Sequence, residues 1–138
     1  MQRGRRIAFD YGDTRIGVAI CDPDGILATP LPFLDAQHPK LLHHIGELFT
    51  EFDPIVIYLG EPKHLSGADG AAVEKVKIFA GQLTQEFKVP IIFVDERLST
   101  IDAQRRLREA GKSSKDSKSL IDSMAAVAIL ESGLARDD

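Results

Sequence analysis

The sequence has little cysteine, no long apolar run and no overall excess of basic residues. Its 138 residues include one cysteine, Cys21, which excludes an internal disulfide and favours a reducing compartment, the cytoplasm. No apolar run approaches the ~20 residues that a membrane-spanning helix needs. The basic start leads into an apolar stretch that Asp10 interrupts, so we do not expect a signal peptide. The formal net charge of -4 excludes a globally basic nucleic-acid binder.

Basic residues are nevertheless concentrated in one segment, from Arg105 to Lys118. This segment contains six lysines and arginines against only two acids, Glu109 and Asp116. Such a run is either the solvated face of a helix and the loop after it, or a surface that contacts phosphate groups.

The alternation of apolar and polar residues predicts one α/β domain over residues 1–138. The predicted strands cover 5–12, 15–22, 26–34, 54–60 and 90–94, and the predicted helices 39–52, 67–87, 99–111 and 119–134. The order β-β-β-α-β-α-β-α-α predicts a mixed five-stranded sheet with helices on both faces, in which strands one, four and five are parallel neighbours.

Three local features refine this prediction. Pro30 and Pro32 cannot donate to a strand ladder, which places the third strand near an edge of the sheet. The run from Ile91 to Val94 is apolar throughout, so we expect the fifth strand to be buried on both faces. Gly133 is expected to end the last helix.

Carboxylates follow the strands that should be parallel. Asp10 lies in the first strand, Glu61 follows the fourth, and Asp95 and Glu96 follow the fifth. Ligands of open α/β sheets collect outside the carboxyl ends of such strands. Asp122 lies in the last helix, where it is either carried inward and needs a partner or interacts with the helix dipole near the N-terminus.

Carboxylates that converge from distant parts of the chain suit a hard divalent cation, Mg²⁺ or Mn²⁺. Zinc is not indicated, because the four histidines show no ligand spacing and Cys21 stands alone. The sequence also contains neither a nucleophile elbow nor a P-loop. Since neighbouring residues in a strand point to opposite faces, Asp95 and Glu96 should not both enter one site.

Four motifs together resemble the YqgF family of RNase H-like nucleases, which is also called RuvX. They are DYGDTRIGVAI (10–20), LGEP (59–62), DERLST (95–100) and DSMAAVAIL (122–130), and they span essentially the whole chain. The resemblance implies an RNase H-like fold and a soluble cytoplasmic nuclease that acts in 5′-end maturation of pre-16S rRNA. Relatedness to the RuvC resolvases adds the alternative of a Holliday junction endonuclease.

The resemblance also implies which acids bind metal. By the family pattern they are Asp10, Glu96 and Asp122, holding Mg²⁺ or Mn²⁺ in a two-metal arrangement. Asp95 is then left to pair with an arginine or to cap a backbone group. Glu61 stands where the family usually has an apolar residue, and it is either a further ligand or a surface substitution.

Several basic residues and glycines are candidates for contacts to the nucleic-acid backbone. Those that match family positions are Arg15 and Arg97, each of which has an alternative salt-bridge partner in a nearby aspartate. Further candidates for phosphate contacts are Lys63, Arg105, Arg106 and Lys112. Gly12 and Gly17 allow close approach to a phosphate, although a tight turn also explains a glycine.

Two other classes of function stay open on the sequence. The D-x-G hairpin at Asp10 also occurs in the sugar-kinase, actin and chaperone ATPases, which bind nucleotide between two such domains. A non-catalytic factor that binds nucleic acid, or a ribosomal or transcription partner, would keep the basic segment without needing Asp10. The sequence does not distinguish an RNA substrate from a branched DNA substrate, or a monomer from a homodimer.

Overall fold

The computed structural model describes residues 2–62, 70–95 and 123–137. The strands are β1 (Arg6–Tyr11), β2 (Arg15–Cys21), β3 (Ala28–Asp35), β4 (Val56–Glu61) and β5 (Ile91–Asp95). The helices within these ranges are α1 (Leu41–Phe52), α2 (Gly70–Glu86) and α3 (Met124–Asp137). The helix predicted over 99–111 lies outside the described residues. No helix in the described ranges combines the length and apolarity needed to cross a membrane.

The strands form one five-stranded sheet in the order β3-β2-β1-β4-β5. Strand β2 is antiparallel to both β1 and β3, whereas β1, β4 and β5 run parallel to one another. Short turns join the first three strands, and antiparallel pairing needs no longer connection. Helices precede β4 and β5, as parallel crossovers require. The predicted mixed sheet and its three parallel neighbours are therefore confirmed.

Strand β3 lies at one end of the described sheet, as its prolines predicted. Its register with β2 shifts where Ile16 pairs with Leu34 and Val18 pairs with Leu31, so β3 uses one more residue than β2 over this stretch. Pro32 lies inside the shift. A bulge is one of the few places in a sheet that tolerate proline, because the missing N–H is not needed there.

Side chains alternate between two cores, one on each face of the sheet. Ile7 and Phe9 of β1 pack with α1 and α2, whereas Ala8 packs with α3. We name these the α1/α2 face and the α3 face. Helices thus cover both faces, as predicted. By the same alternation Asp10, two residues after Ala8, belongs to the α3 face.

Helix α3 lies close to the sheet because small residues line its contact. Ala8, Ala19 and Ala126 are completely buried there. Gly133 extends this contact, since a Cβ atom at this position would lie 2.6 Å from the ring of Tyr58. The prediction that Gly133 ends the helix was wrong, because α3 continues to Asp137. The glycine allows close approach to an aromatic ring and does not terminate the helix.

Strand β5 is less buried than its apolar run suggested. Ile92 is 42% exposed and Phe93 is 38% exposed, while Val94 is buried. Burial of the whole strand on both faces was therefore a wrong prediction. In the described sheet β5 is an end strand with β4 on one side, so its side chains have fewer neighbours than those of β4.

Candidate active site

Asp10 lies near the carboxyl end of β1, at the middle of the sheet. Its side chain is half-buried, and its register partner in β2 is Gly17. Side chains directly opposite each other on antiparallel strands are close neighbours. Gly17 has no side chain and is itself buried, so β2 places no side chain directly opposite the Asp10 carboxylate.

Arg15 shares the face of Asp10. On β2, every second residue from Gly17 to Cys21 points to the α3 face. Arg15 lies two residues before Gly17, so its side chain points to the same face. Its guanidinium lies over the ring of Phe33, with Cζ 5.2 Å from the ring centroid. This contact holds the exposed guanidinium of Arg15 at the same end of the sheet as Asp10.

Helix α3 begins beside the same strands. Ser123, which directly follows Asp122 in the sequence, is completely buried. Its hydroxyl accepts a hydrogen bond from the backbone N–H of Val18 at 3.0 Å and donates one to the carbonyl oxygen of Leu31 at 2.6 Å. Val18 is the chain neighbour of Gly17, so the start of α3 lies next to the Asp10–Gly17 pair.

Glu61 and Asp95 lie on the opposite face. They are register partners at the ends of β4 and β5. Ile57 and Leu59 of β4 pack in the core of the α1/α2 face, and alternation places Glu61 with them. Asp95 shares that face through its pairing with Glu61. Alternation thus separates both acids from Asp10.

Gly12 closes the turn between β1 and β2. A Cβ atom at Gly12 would lie 2.7 Å from the backbone oxygen of Arg15, a distance that real Cβ atoms essentially never show. The turn therefore requires glycine whether or not a phosphate approaches it. Beside Gly12, the carboxylate of Asp13 pairs with the ammonium of Lys75 at 2.9 Å, which links the turn to α2.

Two cavities flank the Asp13–Lys75 pair, with volumes of about 600 and 210 Å³. Both include Tyr11 and Lys75 in their walls, and the larger extends to the start of α1 at Lys40 and Leu41. Tyr11 packs with the core of the α1/α2 face. These cavities therefore lie on the side of the sheet away from Asp10.

Cys21 is not a candidate nucleophile. It is 2% exposed, and its sulfur accepts a hydrogen bond from the backbone N–H of Arg6 at 3.2 Å. Burial raises the pKa of the thiol above its usual value, which keeps it protonated and weakly reactive.

The described residues contain part of the predicted site. They place Asp10, Gly17 and Arg15 together on the α3 face, Gly12 in the adjoining turn, and Glu61 on the other face. They contain no group of three or more His, Cys, Asp or Glu side chains that could hold a metal ion. The predicted residues outside the described ranges are Lys63, Glu96, Arg97, Arg105, Arg106, Lys112 and Asp122.

Sequence reasoning missed two residues that shape this region, Ser123 and Lys75. A serine that begins an apolar helix directly after an aspartate was a readable signal for Ser123. Lys75 carried no comparable signal, because it is one of two exposed lysines on α2.

Comparison with known proteins gives a consistent assignment. The family model described as "RuvX: Holliday junction resolvase" matches residues 4–136. A protein of Streptomyces avermitilis with the name "Putative pre-16S rRNA nuclease" is 46% identical over 136 residues, covering 97% of this chain and 87% of the relative. A Streptomyces coelicolor protein of the same name is 45% identical and covers 97% and 81%.

Solved structures share the fold at low sequence identity. RuvC of Thermus thermophilus in complex with a Holliday junction substrate matches with a TM-score of 0.55 and 14% identity, covering 96% of each chain. The yeast mitochondrial Holliday junction resolvase matches with a TM-score of 0.50 and 11% identity, covering 97% of this chain and 80% of that one. The RNase H-like fold predicted from the sequence is therefore confirmed.

Proposed function

This chain belongs to the RuvX family of nucleases, and we propose that it is a metal-dependent nuclease that matures the 5′ end of pre-16S rRNA. Its substrate is nucleic acid and the bond that it hydrolyses is a phosphodiester. The observation that carries the proposal is the position of Asp10, half-buried near the carboxyl end of the central strand, with Gly17 and no side chain directly opposite it on β2. The relatives that are 45–46% identical over nearly the whole chain supply the choice of substrate.

The residues that would hold a divalent cation, Mg²⁺ or Mn²⁺, are Asp10, Glu96 and Asp122. The carboxylate of Asp10 fits this role, because hard cations prefer oxygen ligands and the side chain is partly open to solvent. A divalent ion, or two of them in an in-line displacement, supplies an activated water and a stabilised leaving oxygen. We leave Glu61 out of the set, since alternation directs it to the α1/α2 face.

The remaining residues of the site act on the substrate backbone. Arg15 lies on the face of Asp10 and offers a guanidinium to a phosphate of the bound strand. Gly17 adds no side chain beside the carboxylate. Contacts of this kind position a substrate and carry no sequence information, so recognition of a particular RNA end must come from other parts of the chain or from a partner.

Cleavage of branched DNA is the second candidate function. The fold of a RuvC bound to a Holliday junction matches this chain over nearly its whole length. At 14% identity that match supports the architecture of the site and leaves the substrate to be tested.

The experiment is a side-by-side cleavage assay on pre-16S rRNA ends and on Holliday junctions, with Mg²⁺ or Mn²⁺. We expect the RNA to be cut and Asp10→Asn to lose cleavage by about two orders of magnitude or more, because the metal contributes several kcal/mol of transition-state stabilisation. Glu51→Gln, which alters an exposed acid on α1, is the matched control and should cleave normally.

Each outcome of this assay decides between functions. Cleavage that survives Asp10→Asn at the wild-type rate would overturn the metal-nuclease proposal. Preferential cutting of the junction would replace the RNA substrate by branched DNA. Binding of nucleic acid without cleavage, unchanged in Asp10→Asn, would identify a non-catalytic factor.

A further inference from the structure

Phe33 reaches the face of Asp10 because of the bulge in β3. Leu31 and Leu34 both pack with the core of the α1/α2 face, although strict alternation would direct residues three apart to opposite faces. The extra residue between them shifts the register at this point, so Phe33, the neighbour of Leu34, points to the α3 face. Without the bulge, Phe33 would share the face of Leu31 and would lie away from Asp10. Bulges beside active sites re-aim side chains in this way.

Arg15 and Phe33 form a pair on that face. Arg15 precedes Ile16, which pairs with Leu34, so the two side chains leave the neighbouring strands β2 and β3 side by side. The Cζ atom of Arg15 lies 5.2 Å from the centroid of the Phe33 ring. Arg15 is exposed and Phe33 is half-buried, so the ring supports the guanidinium from the protein side. We name this pair the Arg15–Phe33 platform.

The platform lies just beyond Asp10, towards the turn that joins β1 and β2. Asp10 pairs with Gly17 across the two strands, and Arg15 lies two residues from Gly17 in that direction. With ~3.4 Å per residue along a strand and ~4.8 Å between strands, the Cα atoms of Asp10 and Arg15 are about 8 Å apart. A nucleotide next to the phosphate at Asp10 is therefore within reach of the platform.

A planar guanidinium that rests on an aromatic ring offers two kinds of contact at once. Its N–H groups lie at the edge of the plane and donate to phosphate oxygens. Its outer face can stack on a nucleobase, as arginine planes and aromatic rings do when proteins bind single strands. Bases inside a duplex are covered by their neighbours on both faces, so this position suits an unpaired and unstacked base.

We propose that the Arg15–Phe33 platform stacks an unpaired base next to the bond that is cut, so that the enzyme acts on single-stranded nucleic acid and not within a duplex. This inference rests on the proposed function, which places the cut at Asp10. It adds to the phosphate contact of Arg15 a role for the plane of the guanidinium. Phe33 acts through Arg15 and is a positioning residue.

The test measures binding of a single-stranded RNA oligonucleotide to the full chain by fluorescence anisotropy, with EDTA present to prevent cleavage. The same sequence annealed into a duplex is measured in parallel. Arg15→Lys keeps the charge and removes the plane, and it should weaken single-strand binding about tenfold, near the low end of what one stacked base contributes. Duplex binding should stay within about twofold of wild type, and the salt dependence of single-strand binding should not change, because the number of phosphate contacts is the same.

Substitutions of Phe33 test the support behind the guanidinium. Phe33→Leu removes the ring but keeps an apolar side chain, and it should weaken single-strand binding about fivefold. Phe33→Tyr keeps the ring and should bind like wild type. Phe93→Leu is the matched control: Phe93 is also partly exposed, but its neighbour Val94 packs on the α3 face, so Phe93 points to the other face and its replacement should leave binding unchanged.

Thermal unfolding followed by circular dichroism establishes that each variant is folded at the temperature of the measurement. If Phe33→Leu does not fold, Arg15→Lys still decides the question, because Arg15 is exposed and outside the core. Wild-type single-strand affinity in Arg15→Lys, or an equal loss of duplex affinity, would overturn the platform. With Mg²⁺ restored, equal cutting of the duplex and the single strand by the wild type would overturn it too. Failure of the proposed function would appear separately, as wild-type cleavage in Asp10→Asn.

Discussion

Replacement of Gly133 by alanine should destabilise the protein, although alanine is the better helix former. The added Cβ atom would lie 2.6–2.7 Å from three carbons of the Tyr58 ring. Tyr58 is 1% exposed and belongs to β4, which lies between β1 and β5. Overpacking of a core costs up to ~3 kcal/mol, and the gain in helix propensity returns ~1 kcal/mol. The expected net loss is about 2 kcal/mol, which for a chain of this length lowers the melting temperature by roughly 6–8 °C.

Gly81→Ala is the matched control for this substitution. Gly81 lies within α2, and a Cβ atom there meets nothing within 4 Å, so the propensity gain should appear alone as ~1 kcal/mol of added stability. Urea and thermal unfolding followed by circular dichroism measure both variants. A Gly133→Ala protein as stable as wild type, or one stabilised as much as Gly81→Ala, would refute the close packing of α3 on β4.

Three further predictions concern the site and the stability of the fold. Gly17→Ala fills the cross-strand position beside Asp10, and it should reduce cleavage while the circular dichroism spectrum stays unchanged; equal cleavage rates would contradict the assigned face. Glu96→Gln should abolish cleavage whereas Asp95→Asn should chiefly lower the melting temperature, and the reverse pattern would shift the strand register by one residue. Hydrogen bonds from backbone N–H groups, led by that of Leu27, lower the pKa of Asp22 below the ordinary aspartate value of 3.8. The contribution of Asp22 to stability is therefore present above pH 3.8 and is lost as the pH falls through the lower folded-state pKa. Asp22→Asn should therefore flatten this acid-range loss in urea titrations, and an unchanged pH profile would argue against the turn bonds.

The sheet was predictable because its signals are local. Runs of apolar residues indicated β1 and β4, and the prolines indicated that β3 is an end strand. Each of these signals depends only on the residues that carry it. The position of Asp10 was predictable for the same reason: a carboxylate two residues beyond the buried Ala8 must share its face.

The rest depended on contacts between distant parts of the chain. In the sequence, Gly133 resembles a helix terminator. Its actual role is a close contact with Tyr58, a residue that lies far from it in the sequence. The bridge made by Ser123 requires a bulge that only the pairing of β2 with β3 creates. Ile92 is exposed because β5 is an end strand of the described sheet. Nothing in the residues of β5 indicates that position.

Two contacts fix where α3 crosses the sheet, one at Ser123 and one at Gly133. The helix crosses the sheet at the level of the Phe9–Val18 and Ala8–Tyr58 pairs, and the Asp10–Gly17 pair comes one residue further along the strands. The Gly133 contact is steric and lies over β4. It prevents α3 from moving closer to the sheet, but it does not prevent the start of the helix from moving along β2. The bridge from the Ser123 hydroxyl to Val18 and Leu31 is the contact that opposes movement of the helix start along β2.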